Sequence, residues 1–267
     1  LEIAQDRVKE KTFFNQIGSK TTEWLPVNDI NDLRDKIEKI GYPSILKTSR
    51  SGYDGKGQCV IRSKQDIVKS WNKLFNKEII SKSDSSVAII EKVVDFECEI
   101  SVIVSRDLSG NVFAFEPTEN VHKNQILVKS LTPANIPEKI KKEAIQEAKK
   151  AAFEIDLVGI MALEMFVVRN KEILINEMAP RPHNSGHWTI DACSPDQFTQ
   201  QINCICGLIS NQPVRHSDAT MVNLLGNDIN KIEKHLILEN THIYNYGKET
   251  SLPNRKMGHV TNIKPIK

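Results

Sequence analysis

The sequence lacks the features that would mark a secreted, membrane-embedded or broadly nucleic-acid-binding protein. Its five cysteines are odd in number and show no paired CxxC spacing, so neither a disulfide framework nor a zinc site is expected. No apolar stretch approaches the length needed to span a bilayer. The net charge is only +2, which argues against a general nucleic-acid-binding surface. We therefore expect a cytoplasmic protein with small-molecule partners and no nucleic-acid or membrane partner.

The pattern of apolar residues predicts an α+β chain with mixed, largely antiparallel sheets. A length of 267 residues with 39% hydrophobic residues is enough to bury a core in two or three lobes. Helices are predicted up to residue 17 and near 30–40, 66–76, 137–155 and 197–209. Strands are predicted near 22–25, 44–48, 58–61, 87–94, 97–104, 112–115, 159–168 and 172–178, and a small α/β tail begins near Ala219. Core positions are expected for Cys193, Cys204 and Cys206.

Two glutamates, Glu164 and Glu177, lie on neighbouring predicted strands that a short turn can join. A two-residue turn would pair Arg169 with Glu172, and counting back along both strands then brings the glutamates face to face, about 5 Å apart. Like charges so close favour a cation between them, and carboxylate oxygens suit Mg²⁺. The alternative is a register shifted by one residue, with one glutamate facing solvent.

A glycine-rich run, Gly52–Gly57, joins two predicted strands. Its three glycines permit positive φ and close approach of the backbone to an anion. Lys47 before the run and Lys56 within it could neutralise phosphate oxygens. The run fits neither a P-loop nor a Rossmann fingerprint, and its alternative interpretation is a flexible hairpin tip.

The segment Glu91–Val94 could form a hinge whose backbone binds an adenine edge, with Glu99 taking ribose hydroxyls. The alternative for these residues is an ordinary strand with solvent-facing acids.

The loop that follows Glu177 concentrates polar donors between proline and glycine residues. Its spacing places His183 and His187 four residues apart, but Pro182 and Gly186 argue against the helix that a zinc site would need. Such a loop suits a small polar or phosphorylated substrate. The basic tail from Asn254 contains no acid and is either an anion site or a solvated end.

Taken in order and spacing, these features resemble the ATP-grasp superfamily. Within it, GYDGKGQ at Gly52–Gln58 and NEMAPRPHNSGHWTIDAC at Asn176–Cys193 resemble the 5-(carboxyamino)imidazole ribonucleotide synthases of purine biosynthesis. The similarity covers essentially the whole chain. It implies two α+β lobes that clasp ATP. It also implies a carbon–nitrogen ligase that uses ATP, Mg²⁺ and bicarbonate to carboxylate 5-aminoimidazole ribonucleotide. This reaction requires no protein nucleophile. The resemblance further implies a homodimer.

The resemblance also implies a role for individual residues. It assigns the nucleotide to Arg7, Lys47, Gly52, Tyr53, Asp54, Gly55, Lys56, Gly57, Glu91, Lys92, Val93, Val94, Glu99, His122, Asn176 and Glu177. It assigns Mg²⁺ to Glu164 and Glu177. It assigns the ribonucleotide or carboxyphosphate to Arg181, His183, Asn184, Ser185, Arg255 and Lys256, and catalytic roles to Arg181, Lys56 and His183.

The implied division of the chain has four parts. Residues 1–17 form a helical remnant leading from a missing N-terminal domain, and 18–90 form the lid lobe with the glycine loop. Residues 91–212 form the catalytic lobe, and 213–267 form a small C-terminal subdomain.

Two departures from the family pattern qualify these expectations. Ala179 stands where many ATP-grasp enzymes have an asparagine, so phosphates or water would complete the metal shell. Absence of the N-terminal domain found in family members would remove part of the ribonucleotide site. Two alternatives therefore stay open: another ATP-grasp carboxylase or formyl-transferring ligase, and an ATP-binding module without turnover.

Overall fold

The computed structural model describes residues 1–50, 57–75, 87–169 and 171–266. The chain divides into two units, one of Leu1–Phe96 with Leu174–Glu177 and one of Glu97–Ile173 with Met178–Lys267. Both units combine helices with antiparallel strand pairs, so the predicted α+β class is confirmed. The four-part division at residues 17, 90 and 212 stays a prediction.

The first unit is built from α1 (Arg7–Gln16), β1 (Trp24–Val27), α2 (Ile30–Ile40), β2 (Ser44–Thr48), β3 (Gln58–Ile61), α3 (Asp66–Leu74) and β4 (Ala88–Lys92). Its sheet has the order β1, β4, β2, β3. Side-chain oxygens of Asp6 and Asp29 cap α1 and α2, as expected for aspartate at these positions. The buried residues Leu33 and Trp71 bring α2 and α3 into one apolar cluster with the sheet.

Predicted bounds in this unit agree closely with the structure. The bounds of α2, β2 and β3 match the prediction residue for residue, whereas β1 begins two residues later than predicted. Helix α2 ends at Gly41, whose φ of +87° is a conformation that side chains disfavour.

The second unit is built around β5 (Phe96–Arg106), β6 (Val112–Ala114), β7 (Thr118–Lys123), β8 (Ile126–Thr132), α4 (Glu138–Glu154), β9 (Gly159–Val168), β10 (Ile173–Ala179), α5 (Thr189–Ala192), β11 (Cys193–Ser194), α6 (Gln197–Ile205), β12 (Val214–Arg215), β13 (Ser217–Leu225), α7 (Glu233–Leu236), β14 (Thr241–Asn245) and β15 (Lys256–Pro265). Of these strands, Phe96 of β5 and Leu174–Glu177 of β10 belong to the first unit. Its large sheet has the order β10, β9, β5, β7, β8, β13, β15, β14, with β6 paired to β5. Buried Trp188, Ile103 and Met221 belong to its apolar cluster.

The hairpin of β7 and β8 was not predicted as a separate element. Its turn residues Asn124 and Gln125 both have positive φ, 51° and 66°. Positive φ at two successive residues is the type I′ pattern, which joins strands tightly and favours asparagine at the first position. Asn124 is therefore the residue in the sequence that could have indicated this hairpin turn.

The C-terminal tail supplies strands to the same sheet. Strand β13 pairs with β8 through Ala219–Thr132 and neighbouring positions, and β15 pairs with both β13 and β14. The basic tail is thus mostly one strand, β15, with Lys256 at its start.

The turn between β9 and β10 corrects the predicted register. The Val168 amide donates to the Glu172 carbonyl at 3.0 Å, and the Lys171 amide donates to the Val168 carbonyl at 2.8 Å. Val168, rather than Arg169, therefore pairs with Glu172, and the loop has three residues, of which Asn170 lies outside the described part. The predicted pairing is wrong because Lys171 adopts φ +60°, which adds a residue to the turn. The face-to-face placement of Glu164 and Glu177 was counted from that pairing and loses its support with it, and Glu177 is exposed.

Two smaller expectations near α6 are also corrected. The helix ends at Ile205, four residues before the predicted end. Cys193 and Cys204 are buried as expected, but Cys206 is exposed because it lies beyond the helix. Among the described residues, every helix is too short or too polar to cross a bilayer.

Candidate functional site

A buried ion-pair cluster in the first unit joins helix α1 to strands β2 and β4. Lys47 Nζ lies 2.6 Å from Glu91 Oε2, and Lys11 Nζ lies 3.6 Å from Glu91 Oε1. Lys11 also donates to the main-chain carbonyls of Ile175 and Asn176 at 3.3 and 2.8 Å. The cluster therefore ties the lysine predicted to contact phosphate to the first residue of the predicted adenine hinge.

Charge complementarity keeps the Glu91 carboxyl ionised. Burial opposes ionisation of Glu91, but Lys47 and Lys11 outweigh it and hold the pKa of the carboxyl at about 2. Burial lowers the pKa of Lys11, and Glu91 acts in the opposite direction. The alternative in which Glu91 faces solvent is wrong, since the residue is only 3% exposed. Lys92 and Val93, by contrast, are exposed.

Arg7 contacts the main chain at the end of strand β2. Its Nη1 donates to the Thr48 carbonyl at 2.8 Å, and the Thr48 amide donates to the Gly57 carbonyl at 2.9 Å. Gly57 has φ +73°, as the expected glycine conformation requires. The predicted nucleotide contacts Gly52, Tyr53, Asp54, Gly55 and Lys56 lie outside the described residues.

A second set of predicted residues meets in the second unit. His122 Nδ1 lies 3.1 Å from Glu99 Oε2, and His183 Nε2 lies 3.0 Å from Glu164 Oε1. Burial opposes ionisation of Glu164, but His183, His122 and Lys256 hold its pKa below the usual value. Burial lowers the pKa of His122, yet Glu99 outweighs it and the net direction is upward. The two ion pairs, together with the charge interactions of Glu164 with His122 and Lys256, make these residues one electrostatic cluster.

The loop carrying the RPHNSGHW sequence is fixed by Gln197 of α6. Gln197 Oε1 accepts from the His183 amide at 2.9 Å, and its Nε2 donates to the His183 carbonyl and to His187 Nδ1, each at 2.9 Å. Gly186 is needed for this approach, because an added Cβ would lie 2.8 Å from Gln197 Oε1 and 2.9 Å from an Ile103 carbon. Asn184 and Asn223 exchange side-chain hydrogen bonds at 2.9 and 2.5 Å.

The remaining predicted site residues differ in exposure and in hydrogen-bond partners. Arg181 is exposed, and its Nη1 donates to the Pro182 carbonyl at 3.0 Å. Arg255 is also exposed and donates to the Thr250 carbonyl at 3.0 Å. Ser185 is fully buried, so its hydroxyl faces protein atoms. Asn176 and Glu177 belong to the first unit, where Glu177 is exposed.

Several residues that shape the site were missed by sequence reasoning. Lys11 had a signal, because it shares the inward side of α1 with buried Phe14 and a buried lysine needs a partner. Gln197, Asn223 and Asn120 carried no local signal, since their partners lie far away in sequence.

The described carboxylates fit the Mg²⁺ that the resemblance implies. Mg²⁺ prefers oxygen ligands and shares its shell with phosphates and water. The pKa of Glu164 lies below its usual value, so its carboxylate is ionised, and Glu177 offers a second, exposed carboxylate. The residue types present therefore satisfy the metal's requirement.

Comparison with known families places this arrangement in a class. The ATP-grasp domain model matches residues 12–198. A second model, the phosphoribosylaminoimidazole carboxylase C-terminal domain, matches residues 219–266. The first match covers more than half of the chain and defines an ATP-grasp protein, which confirms the predicted fold.

Individual relatives narrow the class. The N5-carboxyaminoimidazole ribonucleotide synthase of Brucella melitensis is 43% identical over 99% of this chain and 71% of its own length. A crystal structure of an N5-carboxyaminoimidazole ribonucleotide synthetase with ADP superposes with a TM-score of 0.90 at 42% identity, over 98% of this chain and 68% of that one. An Aspergillus clavatus synthase solved with ADP and 5-aminoimidazole ribonucleotide has a TM-score of 0.90 at 27% identity, over 99% and 69% of the chains. The chain belongs to the N5-carboxyaminoimidazole ribonucleotide synthase family of purine biosynthesis.

Coverage of the relatives differs among them. The chain spans 28% of the bifunctional purine synthesis protein purC/E of Dictyostelium discoideum, to which it is 42% identical over 98% of its residues.

Proposed function

We propose that this chain catalyses ATP-dependent carboxylation of 5-aminoimidazole ribonucleotide by bicarbonate. Family membership supports the reaction, and the electrostatic cluster of Glu99, His122, Glu164, His183 and Lys256 is the observation that carries the proposal. It gathers ionised and hydrogen-bonding groups that the resemblance assigns to nucleotide, metal and substrate. No residue in it has to act as a covalent nucleophile.

The reaction requires bicarbonate to become a better electrophile. A bicarbonate oxygen attacks the γ-phosphorus of ATP, the bond to the bridging oxygen breaks, and ADP leaves with formation of carboxyphosphate. The amine of the ribonucleotide then attacks the carboxyl carbon, the carbon–oxygen bond to phosphate breaks, and the amine loses a proton. Both steps depend mainly on positioning and on neutralising phosphate charge.

The first unit would position ATP. We assign phosphate contacts to Arg7, Lys47 and the run Gly52–Gly57, and adenine contacts to the main chain of Glu91–Val94. The Glu91 carboxylate is held by Lys47 and Lys11, so we assign adenine to main-chain groups of the segment and not to this side chain. Asn176 would be a further nucleotide contact in this unit.

The second unit would supply ribose and substrate contacts. Glu99 and His122 are assigned to the nucleotide, and Arg181, His183, Asn184, Arg255 and Lys256 to the ribonucleotide and carboxyphosphate. The assignment of Ser185 is indirect, because its buried hydroxyl can act only through His183. Mg²⁺, with Glu164 and Glu177 as proposed ligands, would screen the phosphate charges.

Isotope transfer tests this chemistry. With ¹⁸O-labelled bicarbonate, ATP and 5-aminoimidazole ribonucleotide, one labelled oxygen should appear in each released phosphate, because that oxygen bridges carbon and phosphorus in carboxyphosphate. Phosphate without label, formed together with the carboxylated product, would contradict this route.

Two other proposed functions make different predictions. A carboxylase or formyl-transferring ligase for another amine would hydrolyse ATP faster with that amine than with 5-aminoimidazole ribonucleotide. An ATP-binding module would bind ATP with Mg²⁺ saturably and form no product with any amine. Comparing amines in one ATP-hydrolysis assay therefore separates the three.

We also propose that the protein is a cytoplasmic homodimer. A cytoplasmic location is supported by the five cysteines, which are all free thiols. The dimer rests on the family resemblance, and sedimentation equilibrium would test it: a mass of one chain at micromolar concentration would contradict it.

A further inference from the structure

A line of hydrogen-bonded side chains in the second unit ends at the predicted metal ligand Glu164. Its links are Ser130 Oγ to Asn120 Oδ1 at 2.9 Å, Asn120 Nδ2 to Ser101 Oγ at 2.9 Å, Ser101 Oγ to Ser185 Oγ at 2.7 Å, Ser185 Oγ to His183 Nδ1 at 2.8 Å, and His183 Nε2 to Glu164 Oε1 at 3.0 Å. We call Ser101, Asn120, Ser130 and Ser185 the polar chain.

The polar chain is buried throughout. Ser130 and Ser185 have no exposed surface, and Ser101 and Asn120 are 1% and 6% exposed. Burying four polar side chains is unfavourable unless they satisfy one another, and here each one does. They come from strands β5, β7 and β8 and from the RPHNSGHW loop, which are distant in sequence. Such a network specifies one arrangement of its end groups.

The direction of every hydrogen bond follows from one backbone donor. The Ser185 amide N–H points at His183 Nδ1 from 3.3 Å, and an amide N–H can only donate. In the neutral imidazole Nδ1 is therefore the acceptor, and the Ser185 hydroxyl donates to the same single lone pair as this amide. With its single hydrogen used, Ser185 Oγ accepts from Ser101.

The same argument continues to the end of the polar chain. Ser101 Oγ then accepts from the amide nitrogen of Asn120, and Asn120 Oδ1 accepts from the Ser130 hydroxyl. Because Nδ1 of His183 has no hydrogen, the imidazole hydrogen is on Nε2, which donates to Glu164.

We propose that Ser101, Asn120 and Ser130 are positioning residues that fix His183 as the Nε2–H tautomer and so hold its hydrogen bond on Glu164. The proposal deepens the proposed function, because it gives remote residues control over a carboxylate assigned to Mg²⁺. A histidine of the opposite tautomer would point a lone pair at the carboxylate and repel it. The polar chain thereby keeps Glu164 in one orientation.

The tautomer can be measured without any substrate. The chain has seven histidines, so ¹⁵N-histidine labelling and two-bond ¹⁵N–¹H correlation would resolve each ring, with His183→Gln identifying the His183 signals. The protein should show Nδ1 with the resonance of a bare nitrogen and Nε2 with that of a protonated one. The opposite pattern, or rapid averaging of the two, would overturn the proposal.

Ser101→Ala breaks the polar chain at its centre, and Ser101→Thr restores the hydroxyl. For the alanine variant we expect averaged His183 signals and kcat reduced about 10- to 100-fold, with the KM for ATP nearly unchanged. The threonine variant should recover the single tautomer and most of kcat. If the alanine variant does not fold, Ser130→Ala removes the remote end and should give the same changes on a smaller scale.

Thr118→Val is the matched control. Thr118 and Thr132 share a buried hydroxyl pair at 3.0 Å on the same two strands, β7 and β8. Thr118 lies opposite Ser101 on β5, and none of the hydrogen bonds described in the structure joins its side chain to His183. This variant should lose stability but keep the tautomer and kcat. Equal loss of kcat in Thr118→Val and Ser101→Ala, with unchanged His183 signals in both, would contradict a positioning role.

The two measurements separate this proposal from the proposed function. A fixed tautomer that Ser101→Ala disturbs supports the polar chain even if no ligase activity is found. Ligase activity together with an averaged tautomer in the unmodified protein would retain the function and overturn the polar chain.

Discussion

Lys47 and Glu91 form a mostly buried ion pair with 2.6 Å between Nζ and Oε2. Strand register places Ile45, and not Lys47, directly opposite Glu91, so the pair is diagonal across β2 and β4. The lysine proposed to bind phosphate and the first residue of the proposed adenine hinge are thus held together by a direct ion pair. A change at either residue should therefore affect both parts of the ATP site.

Glu91→Gln should destabilise the protein by about 3–5 kcal/mol, because it leaves Lys11 and Lys47 as buried charges without their counterion. Urea unfolding would measure the free energy of unfolding. Glu23→Gln is the control, since its pair with Lys92 is exposed and 3.6 Å long, and a change of less than about 0.5 kcal/mol is expected there. A similar small change for Glu91→Gln would show that the cluster contributes little.

Lys47→Ala should weaken ATP binding by about 10- to 100-fold, in line with the loss of one charge-assisted hydrogen bond. Calorimetric titration with ATP and Mg²⁺ would measure the affinity. The matched control is Lys36→Ala, whose partner is Asp32 on the surface of α2. An unchanged affinity in Lys47→Ala would remove this residue from the phosphate site.

Glu177→Gln should abolish Mg²⁺-dependent turnover without unfolding the protein. The side chain is exposed, so its neutral analogue costs little folding energy, whereas a metal ligand would be lost. Turnover would be measured over a range of Mg²⁺ concentrations, with the exposed Glu138→Gln on α4 as control. Near-normal activity of Glu177→Gln would contradict the metal assignment.

Two neutral histidines should make the protein less stable in mild acid. Burial and neighbouring positive charges lower the pKa of His187 to about 3, and burial lowers that of His259 to about 4. The unfolded chain takes up these protons near pH 6.5 and the folded chain only near those lower values. Stability from this source is therefore complete above pH 6.5 and is lost as the pH falls.

The histidine contribution can be isolated by difference. His259→Gln should reduce the slope of unfolding free energy against pH between pH 6 and pH 4.5 by up to about 1.4 kcal/mol per pH unit. The exposed His216→Gln should leave that slope as it is. Equal slopes in all three proteins would show that His259 is protonated in the folded state.

Local sequence was sufficient for most elements of the fold. The bounds of α2, β2 and β3 followed from apolar periodicity and from Gly41, which are local signals. The turn at Val168 was different, because no local signal shows that Lys171 adopts φ +60° and that the loop has three residues instead of two. One residue of loop length then changes the register of the hairpin, which periodicity cannot determine.

In the candidate site, too, some residues could be predicted from local sequence and others could not. The RPHNSGHW sequence and the glutamates could be selected from the sequence because of their chemistry and spacing. Ser101 and Asn120 could not, since serine and asparagine on strands are usually solvated, and only the pairing of β5 with β7 brings them to Ser185. Contacts between residues far apart in sequence decide which polar groups belong to a site.

Phosphate release is the most direct test of the proposed reaction. The assay would contain this chain, ATP and Mg²⁺, with 5-aminoimidazole ribonucleotide and bicarbonate added together and omitted one at a time. We predict release that depends on the ribonucleotide and is matched by carboxylated product. Release that is the same with and without the ribonucleotide, or none in the complete mixture, would contradict the proposal that this chain carries the ligase activity.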